Sequence, residues 1–313
     1  MLRNCTGTLR RCTSALFSTS SALHSGSNGP RSVEMAYEVM KSTFPGTAKP
    51  LVVMHGLLGN KSNNRTLARR LRDTLDRDVY LVDMRNHGDS PHTATHTYKE
   101  MAADIKRFVD DHQLVEPVLM GHSMGAKAAM SCVLAYPDVA SALICLDNAP
   151  VCTAPNGKYA MYMRALARVC QDPKIHSLQA ADAALMAVEP DKFVRGFLLM
   201  SLRRVKVELE GAGRRQQWRF ESRVPLKTLE QAVLQGEISA WPWDARVDRW
   251  TGPALFVRGT ESHYMADEYI AATGLQFPRF ELQDVKAGHY LNATHPKECA
   301  DIIVRFLDSH QGH

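Results

Sequence analysis

Apolar residues follow two kinds of pattern along this chain. Short continuous apolar runs lie at 51–55, 79–83, 117–121, 142–147 and 254–259, and a further run, FELQDV, lies at 280–285. Stretches in which apolar residues recur at helical spacing lie near 64–76, 97–112, 124–135 and 296–308. Continuous runs are typical of parallel strands that are covered on both faces. The alternation of the two patterns therefore predicts an α/β fold, with a mostly parallel central sheet and helices on both of its faces.

This alternation stops between residues 151 and 250. That part of the chain contains helix-like stretches at 159–170 and 191–209, but no convincing buried strand. About 100 residues between two core strands is too long for a loop, because such connections are normally short. We therefore expect a helical cap at 151–250, inserted between a first core part at 34–150 and a second core part at 251–313.

The second helix-like stretch of the cap carries large apolar residues, namely Phe193, Phe197, Leu198, Met200 and Leu202. Such residues either line a substrate tunnel or seat a cap helix on its neighbours, and the second role is the more common one. The cap also has a mild basic excess, with 16 basic and 11 acidic residues. A mild excess of this kind is typical of a solvated helical face.

The first 33 residues differ in composition from the rest of the chain. They contain four arginines and many serines and threonines, and the first acidic residue is Glu34. This composition is typical of a mitochondrial transit peptide, and no apolar region of a secretory signal is present. We therefore expect residues 1–33 to direct the protein to mitochondria, with the matrix as its destination; a disordered tail is the alternative.

Charge, cysteines and hydropathy exclude several other classes of protein. The net charge of +5 falls to +1 without those four arginines, since 34 basic residues then face 33 acidic ones, so we expect no nucleic-acid partner. No apolar stretch approaches the roughly 20 residues of a membrane span, so we expect no transmembrane segment. The five cysteines after residue 33 form neither a CxxC pair nor a metal-like spacing. The sequence says nothing about oligomeric state.

The strongest chemical motif is Gly121-His122-Ser123-Met124-Gly125, a G-x-S-x-G sequence between an apolar run and a helical stretch. In this setting the serine sits on a sharp strand-to-helix turn, and the flanking glycines allow the tight packing that presents its Oγ. The motif predicts that Ser123 is a nucleophile. The alternative is a tight turn without a reactive serine.

A serine hydroxyl needs a neighbouring base to take its proton. In this type of fold the order along the chain is serine, acid, histidine. His289 is the best-placed base, because it follows the last apolar run and a glycine and precedes the final helix. His295 is the alternative base, whereas His122 is expected to pack beside the turn.

Two carboxylates are candidates for the acid that orients the base. Asp147 ends the run at 142–147, at the sheet edge where ligands bind in such folds. Glu261 follows the next run, at 254–259, which is the more usual place. The pattern alone leaves both open.

An acyl-transfer site also needs N–H groups that stabilise an oxyanion. One is the amide of Met124, directly after the nucleophile, and the other is expected from Leu57 in the His-Gly-Leu-Leu-Gly loop at 55–59. A further charged segment, 83–91, reads Asp-Met-Arg-Asn-His-Gly-Asp-Ser-Pro. We expect it to form a structural bend, held by an Asp83–Arg85 or an Arg85–Asp89 ion pair.

Taken in order, the motifs HGLLG, DMRNHGDSP, GHSMGAK, LDNAP and AGHY closely resemble the mitochondrial α/β-hydrolase-domain-eleven family, which includes bacterial esterases and the yeast ethanol acetyltransferases. The resemblance covers roughly residues 34–310 and is weakest in the cap. The family has its acid in a V-D-x-x-P setting, which implies Asp147 in this sequence. It also has a G-x-x-S sequence after the next strand, where Glu261 of Gly-Thr-Glu-Ser is a departure.

The resemblance implies acyl transfer from an ester or thioester through an acyl-enzyme at Ser123, with Asp147 and His289 completing a triad. The acceptor is either water or an alcohol, and acetyl-CoA with ethanol is one expected substrate pair. A lipid ester is another expected substrate. The resemblance implies no metal or other cofactor, and acetyl-CoA would be a substrate. Because one fold hosts many functions, a mitochondrial scaffold or binding protein is the alternative.

Overall fold

The computed structural model describes residues 30–44, 48–153, 157–209 and 215–310. The strands are β1 (Tyr37–Met40), β2 (Leu51–Met54), β3 (Val79–Val82), β4 (Val118–His122), β5 (Ala142–Leu146), β6 (Leu202–Leu209), β7 (Arg215–Ser222), β8 (Ala254–Gly259) and β9 (Phe280–Val285). The α-helices are α1 (Arg65–Leu75), α2 (Tyr98–Asp111), α3 (Met124–Ala135), α4 (Lys158–Gln171), α5 (Leu178–Leu185), α6 (Lys192–Leu199), α7 (Leu226–Leu234), α8 (Ile270–Gln276), α9 (Leu291–Thr294) and α10 (Pro296–His310). Each apolar run forms a strand and each periodic stretch forms a helix, as predicted.

Within the described part of the chain, the central sheet has seven strands in the order β1-β3-β2-β4-β5-β8-β9. All neighbouring strands pair in parallel except β1, which is antiparallel to β3. The predicted α/β fold with a mostly parallel sheet is therefore confirmed. The sequence pattern did not reveal β1, because this edge strand is short and its side chains are partly exposed.

Helices cover both faces of the sheet. On one face α1 and α10 pack against the strands, and Val53 joins Leu71 and Ile303 in an apolar cluster. On the other face α2 and α3 pack around Val52 and Leu119. Adjacent residues of a strand point to opposite faces, so a strand covered on both sides must be apolar throughout. This is why β2 to β5 read as unbroken apolar runs.

The chain between β5 and β8 is not purely helical. It contains α4, α5, α6 and α7, but β6 and β7 form a separate antiparallel hairpin between α6 and α7. The helix predicted for 191–209 was therefore wrong in its second half, since α6 ends at Leu199 and β6 begins at Leu202. From Val205 onward, β-branched and charged residues alternate, and this period of two favours a strand over a helix.

Of the predicted transit peptide at 1–33, the structure describes only residues 30–33. Residues 1–29 lie outside the described residues, so the transit peptide at 1–33 stays a prediction. The backbone N–H of Val33 donates to Asp104 Oδ1 at 2.7 Å, and the carbonyl of Arg31 accepts from Arg85 Nη2 at 2.7 Å. Contacts with the core thus begin before residue 34. Within the described ranges, no helix is long and apolar enough to span a membrane.

The predicted chemical groups share one edge of the sheet. Parallel strands end on the same side, and the loop at 55–59 follows β2, Ser123 follows β4, and Asp147 follows β5. His289 follows β9, with α9 directly after it. This carboxyl edge is the place where open α/β sheets bind their ligands.

Candidate active site

Ser123 occupies a strained turn between β4 and α3. Its backbone has φ 55° and ψ −117°, a region that residues with a side chain rarely adopt. A Cβ on Gly121 would lie 2.1 Å from the carbonyl oxygen of Gly125, so the turn closes only around glycine at that position. The turn holds the serine side chain at the sheet edge, with 7% of the residue exposed.

The structure brings Ser123, His289 and Asp147 into one hydrogen-bonded chain. His289 Nε2 lies 2.9 Å from Ser123 Oγ. His289 Nδ1 lies 2.6 Å from Asp147 Oδ2. Because the carboxylate can only accept, Nδ1 carries the hydrogen and Nε2 of the neutral ring is left to accept the serine proton.

The Asp147 carboxylate is held by more than the histidine. Its Oδ1 accepts from the backbone N–H of Gly259 at 3.0 Å, and its Oδ2 accepts from Ser262 Oγ at 2.5 Å. The residue is 1% exposed and has φ 53°. Buried carboxylates need such donors, since an unpaired one is costly.

Glu261 and His295, the alternative acid and base, lie elsewhere. The Glu261 side chain is exposed, and the carboxylate that meets His289 is that of Asp147. The ring of His295 contacts Thr294 Oγ1 at 2.9 Å. Sequence reasoning missed Ser262, the last residue of the Gly-Thr-Glu-Ser segment, as a partner of the acid. A serine after a core strand near two candidate carboxylates was the available signal.

Two aromatic rings hold His289 in place. The Tyr264 ring stacks on it with centroids 4.1 Å apart. His122 Nε2 donates to the His289 backbone carbonyl at 2.7 Å. Burial, together with the nearby His289, lowers the pKa of His122 to about 3, so this ring stays neutral at physiological pH. His122 packs beside the turn, as the sequence suggested.

Leu57 and Met124, whose amides are the expected oxyanion donors, both lie beside the serine. Leu57 and Met124 line, together with Ser123, a chamber of about 20 Å³, which is room for about one water-sized group. Met124 begins α3, and the first N–H groups of a helix have no acceptor within the helix. A Cβ on Gly56 would lie 3.3 Å from Ser123 Cβ, so glycine allows the 55–59 loop to approach the nucleophile.

Two buried histidines link the 55–59 loop to the 83–91 segment by hydrogen bonds. The N–H of Leu58 donates to His87 Nε2 at 3.1 Å, and the N–H of Met84 donates to His55 Nε2 at 3.0 Å. The opposite nitrogens, Nδ1 of His87 and Nδ1 of His55, donate to the carbonyls of Arg85 and Gly56. Burial lowers the pKa of both histidines, which keeps them neutral and able to accept. Their role was not apparent from the sequence.

The 83–91 segment is a structural bend, but the predicted internal ion pairs are wrong. Arg85 pairs with Asp104 of α2, with Nε 2.6 Å from Oδ2. Asp83 accepts instead from Lys61, and Asp89 pairs with Lys61 and Arg223. The Arg85 guanidinium is buried and points toward α2, so its partner comes from another element.

A larger apolar groove of about 670 Å³ lies beside the serine chamber. Phe193, Phe197 and Met200 line it, as the tunnel interpretation predicted. Leu198 and Leu202 are instead buried in the core cluster, as the packing interpretation predicted. Within α6, the helical spacing explains why Leu198 differs from Phe193 and Phe197, because residues on one helix cannot all face the same side. Leu202 lies beyond α6, at the start of β6. Among the described residues, no group of three or more His, Cys, Asp or Glu could hold a metal ion.

Comparison with known proteins supports the fold and the kind of chemistry. The family model described as the alpha/beta hydrolase fold matches residues 49–296. The chain is 43% identical over 291 residues to a "Probable alcohol acetyltransferase" of Saccharomyces cerevisiae, covering 89% of this chain and 84% of that protein. It is 33% identical over 281 residues to the "sn-1-specific diacylglycerol lipase ABHD11" of Mus musculus, covering 88% of this chain and 86% of that one.

A solved structure agrees with these relatives. The "Marine microorganism esterase" aligns with a TM-score of 0.76 and 29% sequence identity, covering 88% of this chain and all of that chain. The matched family region includes Ser123, Asp147 and His289. The chain therefore belongs to the α/β-hydrolase family, in the group that contains ABHD11 and the yeast alcohol acetyltransferases.

Proposed function

We propose that this protein is a serine-dependent acyl-transfer enzyme that acts on esters or thioesters through an acyl-enzyme at Ser123. The observation that carries the proposal is the unbroken chain of hydrogen bonds from Ser123 Oγ through His289 to Asp147, with distances of 2.9 and 2.6 Å. Relatives carry the names lipase, esterase and acetyltransferase, which are names for enzymes that break or form ester bonds, and this agrees with the proposal.

The first half-reaction forms the acyl-enzyme. As Ser123 Oγ attacks the carbonyl carbon, His289 Nε2 takes its proton and becomes an imidazolium. Asp147 holds that ring in place and stabilises its charge without itself taking the proton. When the tetrahedral intermediate collapses, the bond to the leaving alkoxide or thiolate breaks and His289 returns the proton to it.

The second half-reaction releases the acyl group. His289 removes a proton from water or from an alcohol, whose oxygen attacks the acyl carbonyl. The tetrahedral intermediate then collapses, the bond between the acyl carbon and Ser123 Oγ breaks, and His289 passes the proton to Ser123 Oγ. In both steps the Leu57 and Met124 amides are the proposed donors to the oxyanion. Each such donor is typically worth about 3–4 kcal/mol of transition-state stabilisation.

The relative with 43% identity favours an alcohol as one acceptor. We propose transfer of an acetyl group from acetyl-CoA to a short alcohol such as ethanol, alongside hydrolysis of esters. Burial of Ser123 supports this, because an acyl-enzyme shielded from bulk water survives long enough to meet an alcohol. The mouse relative supports lipid esters as a second substrate class.

The experiment supplies acetyl-CoA to the purified protein while ethanol is titrated, and it measures acetate and ethyl acetate. Ethyl acetate that rises with ethanol at the expense of acetate supports transfer; acetate alone would leave hydrolysis. Short p-nitrophenyl esters and a diacylglycerol are run beside it. If acetyl-CoA gives neither acetate nor ethyl acetate, and neither the p-nitrophenyl esters nor the diacylglycerol are turned over, the proposal is contradicted and the scaffold alternative is favoured.

The scaffold alternative has its own test. The test expresses the Ser123→Ala variant in cells that lack this protein. If the variant corrects their defect, a binding role is favoured; if it does not, catalysis is favoured. Mitochondrial localisation remains a proposal that rests on residues 1–33. It is tested by fusing those residues to a fluorescent protein, which should then enter mitochondria.

A further inference from the structure

A second cavity, of about 500 Å³, lies at the edge of the central sheet where the parallel strands begin. Val118 starts β4, Ala142 starts β5 and Pro253 directly precedes β8, and all three line this cavity. Leu307, near the end of α10, lines it as well. Because Ser123 directly follows β4, it lies about 16 Å from Val118 at a strand rise of about 3.3 Å per residue. The cavity is therefore separate from the proposed active site, and its volume is in the range of small-molecule sites.

The polar part of this cavity is basic. Four of the residues that line it carry basic side chains, namely Lys49, Arg77, Arg279 and His310. None of the described residues that line it is acidic. Lys49 Nζ lies 2.9 Å from Glu116 Oε2, and Glu116 does not line the cavity. His310 Nε2 lies 3.8 Å from Glu281 Oε1, which is also outside it. A concave site lined by one sign of charge attracts ions of the opposite sign, so this cavity favours an anionic ligand.

The Arg77 guanidinium is buried without a partner. The residue is 3% exposed, and its guanidinium makes no hydrogen bond or ion pair within the ranges that the structure describes. Of its three nitrogens only Nε is fully enclosed, so the terminal nitrogens are the ones that a ligand can reach. Burial lowers the pKa of Arg77 and the charge of Asp308 opposes this, yet a guanidinium stays charged at physiological pH. Buried charges in proteins are normally paired, because an unpaired one is costly.

The end of α10 does not account for this arginine. Carbonyl groups in the last turn of a helix attract cations, and His310 Nδ1 donates to the Phe306 carbonyl at 2.8 Å. Arg77 makes no such bond to α10, and the Asp308 carboxylate is too distant to form an ion pair with it. A ligand is thus the partner that the buried guanidinium lacks.

A phosphate group is the ligand chemistry that fits the two arginines. A guanidinium presents its N–H donors in a plane that matches two oxygens of a phosphate, and the phosphate supplies the negative charge that Arg77 lacks. Arg279 is exposed and donates only to the Thr251 carbonyl, at 3.5 Å, so it is able to turn toward an anion. The apolar residues Val118 and Leu307 offer contacts to an organic part of the ligand.

We propose that this cavity binds a small organic phosphate, with the phosphate group at Arg77 and the apolar part along Val118 and Leu307. The site lies at the opposite edge of the sheet from Ser123, so it is a second binding site and not part of the acyl-transfer centre. It does not rest on the proposed function.

The test measures binding to the full wild-type chain by titration calorimetry, in a phosphate-free buffer of low ionic strength. The probes are phenyl phosphate, inorganic phosphate and benzyl alcohol, which has a similar ring without the charge. We expect phenyl phosphate to bind about tenfold or more tightly than benzyl alcohol, the worth of one hydrogen bond to a charged group. It should also bind more tightly than inorganic phosphate, because its ring buries apolar surface. Phenyl phosphate that binds no more tightly than either probe would overturn the proposal.

Arg77→Met keeps the length of the side chain and removes its charge. It should weaken phenyl phosphate about tenfold or more and leave benzyl alcohol unchanged. Arg69→Met removes the same charge at an exposed position of α1 that does not line the cavity, so it is the matched control and should change neither. Without phosphate, Arg77→Met should melt no lower than the wild type, because it removes an unpaired buried charge. An Arg77→Met variant that binds phenyl phosphate as the wild type does would overturn the proposal.

A second variant tests the site without changing a buried residue. Arg279→Met alters an exposed side chain and should weaken phenyl phosphate about threefold, as expected for an exposed charge. Equal affinities of Arg279→Met and Arg69→Met for phenyl phosphate would overturn the proposal even if Arg77→Met fails to fold. Because these titrations contain no acyl donor, failure of the proposed catalysis and failure of this site are separate results.

Discussion

The side chain of His122 donates a hydrogen bond from Nε2 to the backbone carbonyl of His289, at 2.7 Å. The residue that precedes the proposed nucleophile thus positions the residue that carries the proposed base, although 167 positions separate them in sequence. The centroids of the two imidazole rings lie 4.9 Å apart. The geometry at Ser123 Oγ therefore depends on a group that takes no part in proton transfer.

This relationship predicts the effect of replacing His122. His122→Leu removes the donor, so we expect kcat for a p-nitrophenyl acetate substrate to fall about tenfold, the worth of one hydrogen bond, with KM little changed. His122→Gln retains an N–H of similar reach and should recover most of the loss. Steady-state kinetics on both variants, with circular dichroism as the folding control, checks this. Equal losses in the two variants would count against a positioning role.

The choice of acid gives a sharper prediction. Asp147→Asn keeps the shape of the site but makes the wrong histidine tautomer favourable, and we expect kcat to fall about 10⁴-fold. Glu261→Gln changes an exposed side chain and should leave kcat within about twofold. Kinetics of the two variants side by side decides between the carboxylates. A large loss in Glu261→Gln with little loss in Asp147→Asn would reverse the assignment.

Buried neutral histidines predict how stability depends on pH. Burial lowers the pKa of His96 and His122 to about 3, and it also lowers those of His55 and His87. An unfolded chain protonates these rings below about pH 6.5, whereas the folded chain does not. Their contribution is therefore complete above pH 6.5 and is lost as the pH falls toward the folded pKa.

As the pH falls below about 6.5, each such histidine lowers the free energy of unfolding by up to about 1.4 kcal/mol per pH unit, because the unfolded chain takes up the proton and the folded chain does not. Urea unfolding measured from pH 7.5 to 5.5 checks the slope. His87→Gln, whose side-chain oxygen can still accept from the Leu58 N–H, should give a shallower slope than the wild type. A free energy of unfolding that stays constant from pH 7.5 to 5.5 would contradict the neutral, buried state of these rings.

The tight turn at Ser123 predicts a strong effect at one glycine. Gly121→Ala places a methyl group 2.1 Å from the carbonyl oxygen of Gly125, and we expect it to lower the free energy of unfolding by about 3 kcal/mol or more and to abolish activity. Gly157→Ala is the matched control, because a Cβ there meets nothing within 4 Å. Thermal unfolding of the two variants checks the difference. Equal melting temperatures would show that the turn tolerates a side chain.

Strands β2 to β5 and β8 could be predicted from the sequence because they are buried on both faces and leave continuous apolar runs. The core helices could be predicted from the helical spacing of their apolar residues. The hairpin β6–β7 was missed because its alternating residues followed a convincing helix without a break. Arg85 was given a partner in its own segment, whereas its buried guanidinium meets Asp104 on α2. Pairings that depend on the direction of a buried side chain leave no local pattern.

In the candidate site, too, residues tied to a local pattern could be predicted and residues that only make long-range contacts could not. Ser123 and His289 were found because their positions are tied to a turn motif and to the order of elements. Asp147 and Glu261 stayed open on the pattern alone, and the family resemblance favoured the residue that contacts His289 in the structure. Ser262 and the loop-fastening His55 and His87 were missed, since hydrogen bonds to distant backbone groups impose no spacing on the sequence.

The central claim is that Ser123 becomes acylated with the help of His289. The direct measurement is mass spectrometry of the full chain, quenched soon after mixing with p-nitrophenyl acetate and then digested. We expect one acetyl group on the peptide that contains Ser123 in the wild type, and none in Ser123→Ala or His289→Ala. An acetyl group that never appears on that peptide while ester is being turned over, or that forms equally well without His289, would contradict the account.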